Sequence, residues 1–477
     1  MIKKVAIIGG GPAGLFAAYM LRQSDKDIKI DIYEQGHSLE NRSCPIMTNK
    51  VTKCVNCKSC SIMEGVGGAG AFSDGKYNIT TEFGGWLQDF IPSGTVIDYI
   101  EMADKILQEF GATTKRYMPN DSVKLDCLQH NLRMLQSQCK HLGTDKNLDT
   151  MKKIEKWLIE NQVNIYTDTK VTDVVVSYDC SSYIVKYENT KIPESYYTHV
   201  IFAVGRVGAN FFADWCNRNR VLLTNNQVDI GVRVELPAIL WDHITNEIYE
   251  PKILYRTKKY GDICRTFCFN PHGEVVNENT EGVITVNGHA YADPQKKTSS
   301  SNFALLSTIN FTQPFNKPIE YARHVASIAN MVSGGSVIIQ TLDDLERGRR
   351  SDYSRIKKSI TEQTLHTAVT GDLSLCLPKR QLDNIIETLH ALDGVAPGTS
   401  NGDTLLYGIE CKYYSARPQV DCDFRVALYS DQRPTESKSI IYPYIYAVGD
   451  GAGFTRSLGQ ACAQGLYVAE IILKDKR

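Results

Sequence analysis

Apolar and polar positions alternate between two periods along this chain. Near the start, Val5, Ala6, Ile7 and Ile8 form an unbroken apolar run, followed by Gly9, Gly10 and Gly11. Such a run is the mark of a strand buried on both faces. Small and apolar residues then continue from Ala13 to Arg22 without a breaker, which predicts a helix, and Ile28 to Tyr33 predicts a second strand. Further on, Val96 to Phe110 and Lys152 to Gln162 have helical spacing, the latter apolar at Ile154, Trp157 and Leu158. Between about 222 and 439 strand-like runs dominate: Val228–Glu235, Ile263–Phe269, Gly282–Gly288 and Phe303–Phe311. Helical stretches Glu320–Val332 and Gln381–Leu392 follow.

The first break is chemically specific. Gly9-x-Gly11-x-x-Gly14 sits between strand and helix, and Glu34 ends the next strand twenty positions later. In a dinucleotide site the first glycine allows the tight turn and the second lets backbone approach a pyrophosphate. The third lets helix pack on strand, and the acid accepts ribose hydroxyls. Gly9, Gly11, Pro12, Ala13, Gly14 and Glu34 are therefore candidate cofactor contacts.

The other end of the chain bears on which dinucleotide. The strand-like run Tyr444–Val448 ends at Gly449-Asp450-Gly451, and a small-residue helix follows around Gly459 to Ile471. This resembles the second FAD motif of two-dinucleotide flavoproteins, where the helix N-terminus favours negative charge on a reduced ring. Val200–Arg206 resembles the strand that returns to the cofactor in the same fold, and Ile165–Val176 the segment that runs past the adenine. The resemblance adds Val171, Ala203, Gly205, Gly449, Asp450, Gly459, Gln460 and Ala461 to the candidate contacts, and FAD is the expected cofactor.

Fourteen cysteines are unevenly placed. Ten are scattered and are read as small buried apolar residues. Four fall in the stretch CPIMTNKVTKCVNCKSC as Cys44, Cys54, Cys57 and Cys60. Two-residue spacers let thiolates converge, so this set could hold a [4Fe–4S] or other Fe–S cluster or a Zn ion. A thiol/disulfide relay and ordinary loop thiols remain open. The glycine-rich GVGGAGAFSDGK at 65–76 follows, offering Gly68, Ala69 and Gly70 for close approach to a cofactor. Asp74 and Lys76 could line a pocket, or form an Asp-Gly turn with a solvated lysine.

Those motifs, with His141-Leu142-Gly143-Thr144-Asp145, Arg265-Thr266-Phe267-Cys268, Pro271-x-Gly273-Glu274-Val275-Val276, Leu377-Pro378 and the C-terminal GDGAG-x-TR, carry a resemblance over nearly the whole chain. It resembles a bacterial and archaeal family of FAD-dependent dehydrogenases of mostly undefined substrate (NAD(P)/FAD-dependent oxidoreductases of the two-dinucleotide-binding flavoprotein fold). The resemblance implies an α/β protein with a discontinuous Rossmann-like FAD-binding domain and an inserted α+β substrate domain. The expected division is 1–76, 143–221 and 440–477 for FAD, 77–142 as a helical excursion, and 222–439 for substrate. The expected function is a flavin-dependent oxidoreductase passing a hydride to or from a small organic molecule. Electron transfer to a redox partner and tRNA modification are the alternatives.

Apart from the spacing Gly65-x-Gly67-x-x-Gly70 inside the glycine-rich stretch, which no strand-like run precedes, no second glycine fingerprint is read, so an external donor or acceptor is expected, either NAD(P)H or a redox protein. Proton-exchange candidates are His272, His289 and His366 with Glu274. His289 is preferred, paired with Arg265 as a fork for a carboxylate or phosphate. The run Arg347-Gly348-Arg349-Arg350 is a second anion candidate or a solvated face. With 53 basic and 54 acidic residues and a net charge of −1, the chain lacks the basic excess of a nucleic-acid or anionic-membrane binder. The glycines that break the N-terminal apolar run argue against a signal-peptide reading, and cytoplasmic location is expected.

Overall fold

The computed structural model describes residues 2–475 except 46, 49, 52–54, 56, 119, 178–181, 189–195, 281, 292, 313, 314, 316, 430–439 and 442. The chain divides into two compact units. One comprises 1–114, 144–225 and 415–477, the other 115–143 and 226–414. The expected excursion 77–142 is thus shared out, with 77–114 in the first unit and 115–142 in the second.

The first unit is built on a five-stranded parallel sheet. Its members are β1 (Lys4–Ile8), β2 (Lys29–Tyr33), β3 (Asn164–Tyr166), β4 (His199–Phe202) and β5 (Ile445–Ala447), in the spatial order β5-β4-β1-β2-β3. Helix α1 (Pro12–Ser24) joins β1 to β2, and α2 (Leu458–Lys474) follows β5. Val5 to Ile8 are buried, as a strand covered on both faces requires. The helices pack closely because Gly465 has no side chain: a Cβ there would stand 2.1 Å from the Ala13 carbonyl oxygen. The run 165–176 is not one strand. It divides into β3 and Val171–Val176, broken at Asp168, which has φ +52°; the later piece belongs to a separate three-stranded sheet with Tyr183–Tyr187 and Tyr196–Tyr197.

The second unit carries an eight-stranded, mainly antiparallel sheet whose centre is Val228–Pro237 between Ser300–Ile309 and Leu405–Tyr413. Period-2 alternation gives this central strand two unlike faces. Ile230, Val232, Val234 and Leu236 enter the core with Val325, Ala329, Ile385 and Leu389 from helices Pro318–Val332 and Lys379–Leu392. Asp229, Arg233 and Glu235 occupy alternate positions and are fully buried too. All five N–H groups of Arg233 find acceptors. Nε and Nη2 make a two-pronged pair with Glu410 at 2.9 and 3.0 Å, Nη1 donates to Cys268 O and Asn302 Oδ1, and Nη2 also donates to Asn287 Oδ1. Paired in this way, a charge can sit in a sheet interior.

The α/β class with a discontinuous nucleotide-type sheet and a separate sheet-rich unit is the architecture anticipated from the motifs. Among the described residues, no helix is long and apolar enough to cross a membrane.

Candidate functional site

The fingerprint loop is held by interlocking backbone contacts. A Cβ at Gly9, whose φ is +106°, would lie 2.3 Å from Ala203 O, and one at Gly14 would lie 2.3 Å from Gly9 O. Here glycine is a steric necessity. Gly11 differs: a Cβ there meets nothing within 4 Å, and the same holds at Gly205. Gly11 also caps α1 without a side-chain bond, and the first turn holds no acidic residue. The N–H groups of that turn thus have neither a side-chain cap nor an acidic neighbour within the turn, a setting that suits an anion.

Glu34 is buried and is a structural knot. Its Oε2 accepts Gly10 N–H at 2.8 Å, and its Oε1 accepts Gly36 and Gly65 N–H, each at 2.9 Å. A carboxylate has about four acceptor positions, so one remains. Glu34, expected to accept ribose hydroxyls, spends three of its positions on the backbone N–H groups of Gly10, Gly36 and Gly65.

The segment 65–72 lies on the fingerprint. Gly67 N–H donates to Gly10 O at 2.8 Å, and a Cβ at Gly68 would lie 3.2 Å from Gly11 Cα. A Cβ at Gly70 would meet both Pro12 and Leu458, the first residues of α1 and α2. Gly68, Ala69 and Gly70 therefore sit where the two helix N-termini converge. Asn147, fully buried, fixes this turn by donating to Gly70 O (2.8 Å) and Ala71 O (3.2 Å) while accepting from Tyr77. Lys76 is not solvated. It is buried and pairs with Asp74 at 2.7 Å.

From the C-terminal part, Gly449 N–H is held by Gln464 Oε1 at 2.7 Å, and Gly451 abuts Gly205, where a Cβ would lie 2.2 Å from the carbonyl oxygen. Asp450 accepts from Thr455 at 2.7 Å. Desolvation pushes its carboxyl above the ordinary range, opposed by that hydrogen bond and by Arg206 and Arg456. Gln460 is fully buried, and its amide donates to Thr80 O and Phe83 O. Its amide nitrogen thus holds the loop 80–83. Gly459 packs on Asn78 O, and Ala461 is buried one turn into α2. Val171 is buried at the start of its strand, two residues after Thr169, whose N–H donates to Glu34 O.

Sequence reasoning missed Arg42 and Asn147, because a lone arginine or asparagine carries no motif. It also credited Arg265 with a free fork. Nη2 of Arg265 donates to both Asp229 and Tyr414, and Tyr414 in turn donates to Asp229. Nη2 belongs to both two-pronged edges of a guanidinium, so neither edge is free to grip a carboxylate. The neighbouring Asp229 and Tyr414 hold Arg265 charged against the cost of burial. His289 is half-buried at the end of the strand Val283–His289, opposite Glu274. His272 is engaged elsewhere, with Nδ1 3.1 Å from Thr298 O and Nε2 3.1 Å from Asp242. Arg347 and Arg349 pair with Asp343 and Asp344.

Of the cysteine set, Cys44, Cys57 and Cys60 are free thiols, and Cys54 lies outside the described residues. Among the described residues no three His, Cys, Asp or Glu side chains gather as metal ligands. Seven of the scattered ten, Cys127, Cys139, Cys216, Cys264, Cys376, Cys411 and Cys462, are buried. Cys268 is half-buried and Cys422 exposed, against expectation. Cys180 lies outside the described residues.

Residues 227–413 match the family described as FAD-dependent protein, C-terminal domain-like, and residues 7–39 match the NAD(P)-binding Rossmann-like domain. A protein of Clostridium beijerinckii named only as uncharacterized is 25% identical over 489 residues, spanning 98% of this chain and 80% of its own. Among solved structures, CtdE in complex with FAD aligns over 98% of this chain and 82% of its own, with 11% identity and a TM-score of 0.34. The flavin-dependent halogenase CmlS aligns over 99% of this chain and 56% of its own, with 12% identity and a TM-score of 0.41. The chain thus pairs a segment similar to the NAD(P)-binding Rossmann-like domain near its start with a segment, 227–413, similar to the C-terminal domain of FAD-dependent proteins.

Proposed function

We propose that the chain is an FAD-dependent oxidoreductase acting on a small organic molecule. The observation that carries this reading is the one fingerprint glycine whose Cβ position is clear. Gly9 and Gly14 are packed against backbone, whereas Gly11 faces free space at an uncapped helix start. In this reading the first-turn N–H groups of α1 hold the pyrophosphate, the remaining acceptor position of Glu34 takes a ribose hydroxyl, and Gly68–Gly70 border the cofactor. Asp450 and Gly205 border it from the C-terminal side. The N-terminus of α2, capped by Ser457, stabilises negative charge there.

Bound FAD supplies a ring that exchanges a hydride with a substrate carbon at N5. The protein orients the substrate and supplies a proton. His289 is the residue proposed for that proton, while Arg265 is left a supporting place in the sheet by its bonds to Asp229 and Tyr414. Electrons would enter or leave through NAD(P)H or a redox protein.

The test is a spectrum of the purified protein before and after FAD reconstitution, followed by anaerobic addition of NADH, NADPH and dithionite. A yellow protein that bleaches with a physiological reductant supports the reading. Colourless protein that takes up no FAD overturns it, and so does bound flavin that no reductant bleaches.

A further inference from the structure

The segment 43–60 holds all four clustered cysteines, and its two ends meet at one side chain. Arg42 precedes the segment and Ser61 follows it. Arg42 Nε donates to Ser61 O at 2.8 Å, and Nη2 donates to Ile62 O at 2.8 Å. The same guanidinium reaches the loop that lies on the fingerprint: Nη1 donates to Val66 O at 2.6 Å and Gly68 O at 2.8 Å, with Gly65 O at 3.4 Å. Arg42 is 5% exposed and stacks over Phe72, 4.6 Å from the ring centroid. Every acceptor is a backbone carbonyl, from residues 61–62 on one side and 65–68 on the other.

A planar guanidinium spans two sets of carbonyls in fixed directions, as an ammonium cannot. If residues 61–62 move, Arg42 must release Val66 and Gly68 or leave donors buried without partners, at the cost that attends such groups. Gly67 is in turn bonded to Gly10, and Gly65 to Glu34. The neck of the cysteine segment is therefore one side chain removed from the fingerprint.

We propose that Arg42 is a positioning residue that couples the cysteine-bearing segment to FAD binding. FAD holds the loop 65–68 in place and so rigidifies the neck at 60–62; a change in the segment that displaces the neck weakens FAD. Linkage makes the two effects equal in free energy. The proposal rests on the FAD reading above.

The test uses the full chain. Iodoacetamide labelling of Cys60 is followed by peptide mass spectrometry with and without saturating FAD, with the exposed Cys422 as an internal reference. FAD affinity is measured by fluorescence on wild type, Arg42→Lys and Arg42→Gln, each checked for fold by circular dichroism. Couplings of this kind are commonly about 5- to 150-fold. FAD is expected to slow Cys60 labelling about tenfold in wild type while Cys422 is unaffected. Both variants are expected to bind FAD about tenfold more weakly and to lose the protection of Cys60 even at saturating FAD. Equal FAD affinity in the folded variants, or Cys60 labelling that ignores FAD in wild type, overturns the coupling while leaving FAD binding intact. Absence of FAD binding in wild type overturns the functional reading instead. Arg42→Lys retaining wild-type affinity and protection would show that charge alone suffices and would also refute the proposal.

Discussion

Replacing Glu235 by glutamine tests how a buried carboxyl sets the stability of the second unit. Glu235 is fully buried in the central strand and accepts from the Tyr407 hydroxyl at 2.5 Å and from the Thr364 hydroxyl and N–H. Desolvation outweighs these donors and pushes the carboxyl from 4.5 up to about 7. Between those values the folded state holds a proton that the unfolded state has released, so stability falls as pH rises through the interval. At about 1.36 kcal/mol per pH unit, the whole interval is worth about 3 kcal/mol, nearly all of it lost by pH 8. Glutamine keeps an acceptor for Tyr407 and Thr364 and cannot ionise. Urea unfolding of both proteins at pH 5, 6, 7 and 8 should show wild type losing about 2–3 kcal/mol relative to Glu235→Gln across the series. A difference between the two that stays constant with pH would refute the reasoning.

Other sites give sharper local outcomes. Glu34→Gln sets an amide donor against the backbone N–H groups of Gly10 or of Gly36 and Gly65; a loss of about 1–3 kcal/mol in stability is expected, read by thermal unfolding. Gly465→Val forces α1 and α2 apart at Ala13 and should cost about 1–3 kcal/mol by the same measurement, with weaker FAD binding in a fluorescence titration. Arg233→Met leaves Glu410 buried with one fewer partner and should cost about 3–5 kcal/mol. The double variant Arg233→Met/Glu410→Leu should recover a large part of that loss, and no recovery would show that the pair is not the source.

The first unit was readable because its requirements are local. Gly9, Gly11, Gly14 and Glu34 stand at fixed separations, and each answers a steric or electrostatic need within one strand-turn-helix-strand unit. The role of Glu34 was only partly legible: its ribose position is inferred from spacing, but the bond to Gly65 N–H joins residues thirty-one apart, which no local pattern encodes. Arg42 escaped for the same reason, since a carbonyl-binding arginine looks like any surface arginine. In the second unit the strands Val228–Pro237 and Ile263–Asn270 emerged from period-2 patterning within one or two residues of the expected ends. Arg233 and Arg265 did not announce their partners. Asp229, Tyr414 and Glu410 lie far from them in sequence, so a fork that looked free for a substrate is already closed by the sheet.

The order in which the parallel sheet is assembled has a consequence for synthesis. β4 lies between β1 and β5, so the first unit cannot close its sheet until residues 445–447 have left the ribosome, after the whole of 226–414. Domains commonly fold as they emerge, and the intervening unit has its own core. A nascent chain halted near residue 420 would carry one finished body and one with a bare strand edge at β4. Such an edge invites pairing with other chains, which makes the last sixty residues a safeguard against aggregation as well as a part of the first unit.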